Sequence, residues 1–299
     1  MTLRFDIRAF DEVTSTNDIV KEAASRGEPE GLAVCAKVQT AGYGRRGNAW
    51  KSESGSLYLS LLLRPDASGA RMSTLPLAAA LAVRRAVASF LPEGSKACVM
   101  VKWPNDVVVR DARLGVPAGS FAKVCGISTE LKSGAVCVGI GVNVLAPRRG
   151  NGDGGFCRPG AGACVANVAA IVPSFRNRPT YLSELVPEGA CPSVAQVRDA
   201  VLDAFAAVYD EWLARGFAPL RREYLQHFAL LGRAVRVDEP TAHPAGSEGD
   251  TAPSAACATL RGTVAGVTDD GRLLVDRCDS PGDGPCLFEV ASGSITMEA

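Results

Sequence analysis

The sequence lacks a long apolar run, an excess of charge of either sign, and a signal peptide. No stretch approaches the roughly 18 apolar residues of a membrane span, and the N-terminal MTLRFDIRAF has no apolar signal core. The 32 basic and 32 acidic side chains balance, whereas a dedicated duplex-DNA binder carries a basic excess. We therefore expect a cytoplasmic protein that binds neither membranes nor nucleic acid.

Paired cysteine motifs are also missing. The 10 cysteines form no C-x-x-C pair, and Cys35, Cys98 and Cys137 stand singly in apolar runs. Single cysteines in such runs are typical of small buried side chains in a reducing compartment, not of disulfide or zinc frameworks. The 2 histidines, His227 and His243, lie outside every motif described below. We predict no protein-built metal site.

A glycine-rich loop follows a predicted strand in the stretch AGYGRRGNAW. It is not a G-x-x-x-x-G-K-[ST] phosphate loop, and it leads into a strand, which excludes the dinucleotide fingerprint. Gly42, Gly44 and Gly47 instead surround Arg45 and Arg46. Backbone N–H groups of such a loop, together with forked guanidinium donors, favour an anion site. A basic surface hairpin is the alternative interpretation.

Hydrophobic periodicity divides the chain into a large mixed domain at 1–231 and a small all-β module at 232–299. Gly/Pro-rich segments at 147–164 and 239–257 are typical of insertions. The predicted class is α+β, a mixed sheet packed with helices plus a small barrel. We predict strands at 3–10, 32–39 and 56–63, in ACVMVKW, DVVV, KVCGISTEL and AVCVGIGVNV, and in AVRV, ATLRGTVAGV, RLLVD and LFEV; and helices at 16–26, around LPLAAALAVRRAVASFL, and at 194–215 and 219–228.

Polar groups gather at the start of the first predicted helix and in the segment KWPND. Ser15, Thr16 and Asn17 suit either an N-cap or a site for a small polar heterocycle. Pro104 stiffens KWPND, residues 102–106, which presents lysine, indole, amide and carboxylate at a corner between two apolar strands. A plain strand-to-strand turn is the alternative. Lys102 argues against it, because a lysine ending an apolar run needs an anionic partner.

Downstream, Lys123 begins an otherwise apolar predicted strand, and Gly139 and Gly141 leave the neighbouring predicted strand without side chains at two positions. Glycines in a strand interior indicate close approach of backbone or ligand. Each of these features alone is more typical of structure than of function.

Taken in order, the motifs resemble the biotin protein ligases. KWPND is the most specific element, and the loop G-x-G-R-R-G preceded by Gln39 is nearly as diagnostic. The resemblance runs from Ser15 to about Asn143 and resumes in the β module, which is similar to the family's SH3-like C-terminal domain. It implies that ATP activates biotin to biotinyl-5'-AMP, with Mg²⁺, and that biotin is then transferred to a lysine of a biotin carboxyl carrier domain. It leaves monomer and homodimer both open.

The resemblance also assigns site residues. For biotin it implies Ser15, Thr16, Asn17, Gln39, Gly42, Gly44, Lys123 and Gly126. For ATP and the adenylate it implies Arg45, Arg46, Trp50, Lys102, Asn105, Asp106 and Asn143. The implied catalytic residues are Arg45, Lys102, Asp106 and Lys123, with Asp106 as the base or orienting group for the carrier lysine because no histidine is present in the motifs.

Three positions depart from the family pattern. Tyr43 and Asn48 stand where arginines are usual, and Ser128 stands where leucine is often found. They bear on affinity and kinetics rather than reaction type. The nearest alternative function is a lipoate or octanoate ligase of the same superfamily. A DNA-binding repressor would need an N-terminal helix-turn-helix, for which we expect no room ahead of Ser15, and a degenerate binding protein would lack the lysines or Asp106.

Overall fold

A mixed β-sheet forms the centre of the larger domain. The computed structural model describes residues 3–52, 54–66, 69–115, 120–147, 178–244, 259–277 and 286–298. The strands of the sheet are β1 (Asp6–Val13), β2 (Leu32–Gln39), β3 (Leu57–Leu63), β4 (Val99–Lys102), β5 (Asp106–Val109), β6 (Ala122–Lys132), β7 (Ala135–Val142) and β8 (Arg178–Pro179). Their order is β1-β2-β3-β7-β6-β5-β4, with β8 beside β6. The pairs β1–β2 and β6–β8 are parallel and the others antiparallel.

Helices cover both faces of this sheet. They are α1 (Thr16–Ser25), α2 (Gly69–Met72), α3 (Leu75–Ser89), α4 (Leu182–Leu185), α5 (Val194–Arg215) and α6 (Ala218–Gln226). The side chains of β3 alternate, as a pleated strand requires. Leu59 and Leu61 belong to the core formed with α3 and α5, whereas Leu62 packs with α1. Pro76 lies in the first turn of α3, where its missing N–H has no intrahelical partner to lose.

The C-terminal module is a closed four-stranded barrel. Its strands are β9 (Ala234–Pro244), β10 (Thr259–Val267), β11 (Leu273–Asp276) and β12 (Leu287–Met297), in the order β10-β11-β12-β9. Val235 and Val264 of the barrel belong to the same buried cluster as α3 and α5, so the barrel and the larger sheet share one apolar interior. The predicted α+β class is confirmed.

Some predicted boundaries shift. The first strand spans Asp6–Val13 rather than 3–10, because its register follows β2, with Asp6 opposite Leu32 and Val13 opposite Gln39. LFEV and the SGSITM that follows it form one strand, β12. Strand β9 runs to Pro244, into the segment predicted as an insertion at 239–257. The remainder of that segment, and all but the first residue of the one at 147–164, lie outside the described residues. No helix in the described ranges is both long enough and apolar enough to span a membrane.

Candidate active site

A cavity of about 540 Å³ opens where α1, the glycine loop and the KWPND corner meet above the sheet. Strands β3, β6 and β7 form its floor, with β12 of the barrel at its edge. The described lining contains the following predicted residues: Ser15, Thr16, Asn17, Gln39, Gly44, Arg45, Trp50, Lys102, Asn105, Asp106, Lys123 and Gly126.

The start of α1 is tied to the end of β2. The Thr16 amide and hydroxyl both donate to Gln39 Oε1, at 2.8 and 3.0 Å, and Gln39 Nε2 donates to Ser52 Oγ at 3.0 Å. Ser15 occupies the N-cap position, but its side chain makes no capping hydrogen bond and is buried. The N-cap interpretation therefore accounts for the position of Ser15 and not for its hydroxyl.

A buried polar network surrounds Asn17. Its Nδ2 donates to Ser128 Oγ at 3.1 Å and to Glu130 Oε1 at 3.3 Å, and Ser60 Oγ lies 2.6 Å from Asn17 Oδ1. Gly139 makes room for this network, since a Cβ there would lie 2.5 Å from Asn17 Oδ1. Donors and acceptors in fixed positions inside an otherwise apolar sheet suit a small polar ring.

The KWPND segment is a rigid corner between β4 and β5, with Lys102 opposite Asp106 in the ladder. The Trp103–Pro104 peptide bond is cis. Trp103 is buried and its Nε1 donates to the Gly271 carbonyl of the barrel at 2.9 Å. Asn105 Nδ2 donates to the Ile127 carbonyl at 2.5 Å, which leaves Asn105 Oδ1 3.5 Å from an Arg45 guanidinium nitrogen.

Lys123 and Asp106 form an ion pair of 2.6 Å within the cavity, with side chains that are 18% and 13% exposed. The Lys123 ammonium also lies 5.1 Å from the centre of the Trp50 ring, a cation–π distance. The ring rests on two glycines, since a Cβ at Gly126 or Gly141 would come within 2.9 or 2.8 Å of it. The glycines therefore position the tryptophan, and the tryptophan covers the cation.

The glycine loop is a closed ribbon. Gly44 N donates to the Asn48 carbonyl at 2.8 Å and Trp50 N donates to the Gly42 carbonyl at 2.9 Å. A 3₁₀ turn at Arg45–Gly47 forms the tip, and Asn48 Nδ2 donates to the Arg45 carbonyl at 2.9 Å. The ribbon holds Arg45 at the cavity.

Three predicted site residues are not among the described residues that line the cavity. Two of them are Gly42 and Asn143. A Cβ at Gly42 would lie 2.4 Å from Ser52 Oγ, so its contribution is close packing of the loop base. Asn143 Nδ2 donates to the Lys123 and Thr180 carbonyls at 3.3 and 3.1 Å, behind the site. The side chain of Arg46 lies outside the part of the chain that the structure describes.

Other cavity residues were not predicted. Ser60 and Ser128 were missed, although a serine within the apolar run SLYLSLLL is a signal that could have found Ser60. The cavity is also lined by Gly293, Ser294 and Ile295 of β12. No local sequence pattern indicates this, since the contact between barrel and sheet joins segments that are far apart in the sequence. Within the described ranges, no group of three or more His, Cys, Asp or Glu side chains converges to hold a metal ion.

The sequence model of the biotin/lipoate A/B protein ligase family matches residues 9–144, the region that builds most of this cavity. The chain is 30% identical over 246 residues to the biotin–[acetyl-CoA-carboxylase] ligase of Paracoccus denitrificans, covering 81% of this chain and 82% of that protein. The chain belongs to the biotin protein ligase family. The bifunctional ligase/repressor BirA of Bacillus spizizenii is 34% identical over 272 residues, which cover 89% of this chain and 68% of that protein.

The fold is that of solved biotin protein ligases. The Aquifex aeolicus biotin protein ligase in complex with biotin and ATP superposes with a TM-score of 0.68 over 98% of both chains, at 24% identity. At this identity the likeness shows the fold alone. As a member of this family the chain is a ligase, and the mixed sheet with a C-terminal barrel is the architecture that the sequence predicted.

Proposed function

We propose that this protein activates biotin with ATP to biotinyl-5'-AMP and transfers biotin to one lysine of a biotin carboxyl carrier domain. One observation carries the proposal for the site: a single cavity joins a polar network around Asn17 to the cations Arg45, Lys102 and Lys123. A ligand with a polar ring at one end and an anion at the other matches that arrangement. The relatives named above are biotin ligases, which favours biotin over lipoate.

In the first half-reaction a biotin carboxylate oxygen attacks the α-phosphorus of ATP, a P–O bond forms, and the bond to the leaving pyrophosphate breaks. Attack of one anion on another needs positive charge at the reacting atoms. We assign this to Arg45, Lys102 and Lys123, with Arg46 on the same loop. Thr16, Asn17 and Gln39, with Ser15, would bind the ureido end. Asn105 and Asp106 would lie on the nucleotide side, and Asn143 would act through the backbone of β6.

Mg²⁺ is expected with ATP, where it would offset phosphate charge. The described lining of the cavity holds a single carboxylate, that of Asp106, and it is already paired with Lys123. One carboxylate fits an ion that keeps most of its ligands from phosphates and water, and does not fit a protein-built cage. We therefore name no protein ligand set for it.

In the second half-reaction the neutral carrier amine attacks the acyl carbon, the amide bond forms, and AMP leaves. The amine must first lose a proton. Asp106 is the proposed acceptor, because it is the carboxylate of the described lining. Its partner Lys123 can pair with the phosphate of the acyl adenylate once the carboxylate of biotin has become part of the mixed anhydride.

The test is mass spectrometry of purified protein after incubation with ATP, Mg²⁺ and biotin, and of an added carrier domain. A retained species at the mass of biotinyl-AMP and a carrier heavier by one biotin support both half-reactions. Adenylation of lipoate or octanoate in place of biotin would contradict the choice of acid. A homodimer and a cytoplasmic location stay predictions, tested by light scattering and by fractionation.

A further inference from the structure

We propose that Tyr43 and Lys21 tether the glycine loop to helix α1, and that this tether sets how long the site retains biotinyl-AMP. The retention part of the inference rests on the proposed function; the tether itself does not. Tyr43 lies on the entering arm of the loop, where it lines the cavity, and Lys21 lies on α1. Neither is among the residues assigned above to biotin or ATP.

The contacts form a closed set of four side chains. Tyr43 OH donates to Asp18 Oδ1 at 2.8 Å and accepts a hydrogen bond from Lys21 Nζ. Lys21 Nζ also lies 3.0 Å from Asp18 Oδ1 and 3.2 Å from Glu130 Oε2. We call these residues, Tyr43, Lys21, Asp18 and Glu130, the loop tether. It joins the loop, one helix and one strand of the sheet.

The protonation states required for these bonds hold near neutral pH. Burial disfavours the charged form of Lys21, but its hydrogen bonds to Tyr43, Asp18 and Glu130 outweigh burial and raise its pKa. The pKa of Tyr43 is also raised, here because of burial, although the hydrogen bond from Lys21 acts in the opposite direction. Lys21 is therefore an ammonium and Tyr43 a neutral phenol that can donate to Asp18.

The tether connects the loop to the polar end of the cavity. The carboxylate of Glu130 accepts from Asn17 through one oxygen, at 3.3 Å, and pairs with Lys21 through the other, at 3.2 Å. On the loop side, Tyr43 is bridged to Ala49 across the ribbon. The arm that carries Arg45 is thus held by bonds within the chain, none of which requires a ligand. An arm that is already ordered loses no further conformational entropy when it covers the intermediate. The covered intermediate therefore escapes more slowly.

The central experiment compares Tyr43→Phe with wild type. The variant keeps the ring and removes both hydroxyl bonds. We expect trypsin to cleave after Arg45 or Arg46 in the ligand-free protein about tenfold faster, since the two hydrogen bonds that are removed together contribute about that factor. We expect release of preformed biotinyl-AMP to accelerate by about the same factor, with little change in KM for biotin.

Tyr209→Phe is the matched control, because it removes a 2.7 Å bond to Glu30 Oε2 remote from the cavity. It should leave cleavage at the loop unchanged. Both substitutions remove the contact between Lys21 and Tyr43. The increase in cleavage rate of the double variant Lys21→Met/Tyr43→Phe should therefore be smaller than the combined increases of the two single variants.

Unchanged cleavage of Tyr43→Phe, or full additivity in the double variant, would overturn the tether. Faster cleavage with unchanged adenylate release would overturn its role in retention. If wild type formed no biotinyl-AMP at all, the proposed function would fail, whereas the proteolysis comparison would still decide whether the tether exists.

Discussion

At the scale of single residues, one cation of the site, Lys123, already has a charged partner before substrate arrives. The Lys123 ammonium is paired with Asp106 at 2.6 Å and covered by the Trp50 ring. A cation held in this way costs less to bury than an isolated one. On the proposed mechanism, an incoming carboxylate would compete with Asp106 for Lys123, and this competition would leave Asp106 able to accept a proton later.

Arg45 is the residue for which we expect the sharpest separation of the two half-reactions. In Arg45→Gly the adenylate should still form, because Lys102 and Lys123 remain at the cavity. Release of biotinyl-AMP should accelerate roughly ten- to a hundredfold, since hydrogen bonds from a guanidinium to an anion are lost. Quenched-flow measurement of retained adenylate, with exchange against unlabelled biotin, gives both rates.

The control for Arg45→Gly is Arg113→Gly. Arg113 pairs with Asp111 on an exposed turn and should leave both rates unchanged. An Arg45→Gly protein that forms no adenylate would show that the guanidinium is needed for the chemical step, and the assignment to retention would be wrong.

Gly141 supports the site by having no side chain. In Gly141→Ala the new Cβ would lie within 2.8 Å of the Trp50 ring, so the ring and its arm of the loop must shift. We expect KM for biotin to rise about tenfold, the equivalent of ~1.4 kcal/mol of overpacking. Gly94→Ala is the control, because nothing lies within 4 Å of its Cβ position. Equal KM values for the two variants would contradict this account.

Residues that carry distinctive chemistry could be predicted from the sequence, and residues that act through their neighbours could not. Lys102, Asp106 and Lys123 stand out because a charge next to an apolar strand needs a reason, and all three line the cavity. The loop tether was not foreseen. Tyr43 and Lys21 are ordinary surface types, and their contact depends on how the loop folds back on α1.

At the scale of elements, local patterns predict strands and helices but not their neighbours. The apolar runs of β2 and β3 predict those strands, with bounds close to the observed ones. That β3 lies beside β7 is a long-range pairing, which local periodicity does not encode. The floor of the cavity depends on this pairing, because it brings Ser60 opposite Gly139.

Helix α3 fixes the strand that leads into the KWPND corner through one buried cation. Arg84 Nε donates to the Val99 carbonyl at 3.1 Å, and Arg84 Nη2 donates to the Lys96 carbonyl at 3.0 Å. Burial lowers the pKa of Arg84. In Arg84→Met both carbonyls lose these donors while the apolar stem is kept, so the free energy of unfolding should fall by about 1–3 kcal/mol.

Differential scanning calorimetry would measure this loss, with Arg85→Met as the comparison. Arg85 pairs with Glu223 where both side chains are about one-third exposed, 34% and 32%, and solvent screens such a pair. The decrease in Tm should therefore be clearly smaller for Arg85→Met. Equal decreases would mean that the buried carbonyls find other partners.

At the scale of the whole molecule, the barrel contacts the elements that build the site. The turn between β10 and β11 inserts between the start of α3 and the KWPND corner. Ser73 Oγ donates to the Asp270 carbonyl at 2.8 Å, and Trp103 Nε1 donates to the Gly271 carbonyl. The predicted strands ATLRGTVAGV and RLLVD leave room for a turn between them, but the sequence does not indicate what that turn contacts.

Gly271 allows this turn to pack against the start of α3, for two separable reasons. Its φ of +85° lies in the left-handed region, and a Cβ would come within 2.9 Å of Leu77 and 3.1 Å of Thr74. Gly134 shares the first property, with φ +70°, and not the second, since nothing lies within 4 Å. Both alanine variants carry the backbone strain, so their difference isolates the packing of the barrel turn.

We expect Gly271→Ala to lower the free energy of unfolding by about 1–3 kcal/mol more than Gly134→Ala, because close packing cannot absorb the methyl group. At about 2–4 °C of Tm per kcal/mol the two melting curves should separate visibly. Gly271→Ala should also slow adenylate formation, since displacement of the turn moves the carbonyl that accepts from Trp103 and holds the corner carrying Asn105 and Asp106. If both variants lost equal stability and formed adenylate at equal rates, the barrel would be a neighbour of the active site and not part of what positions it.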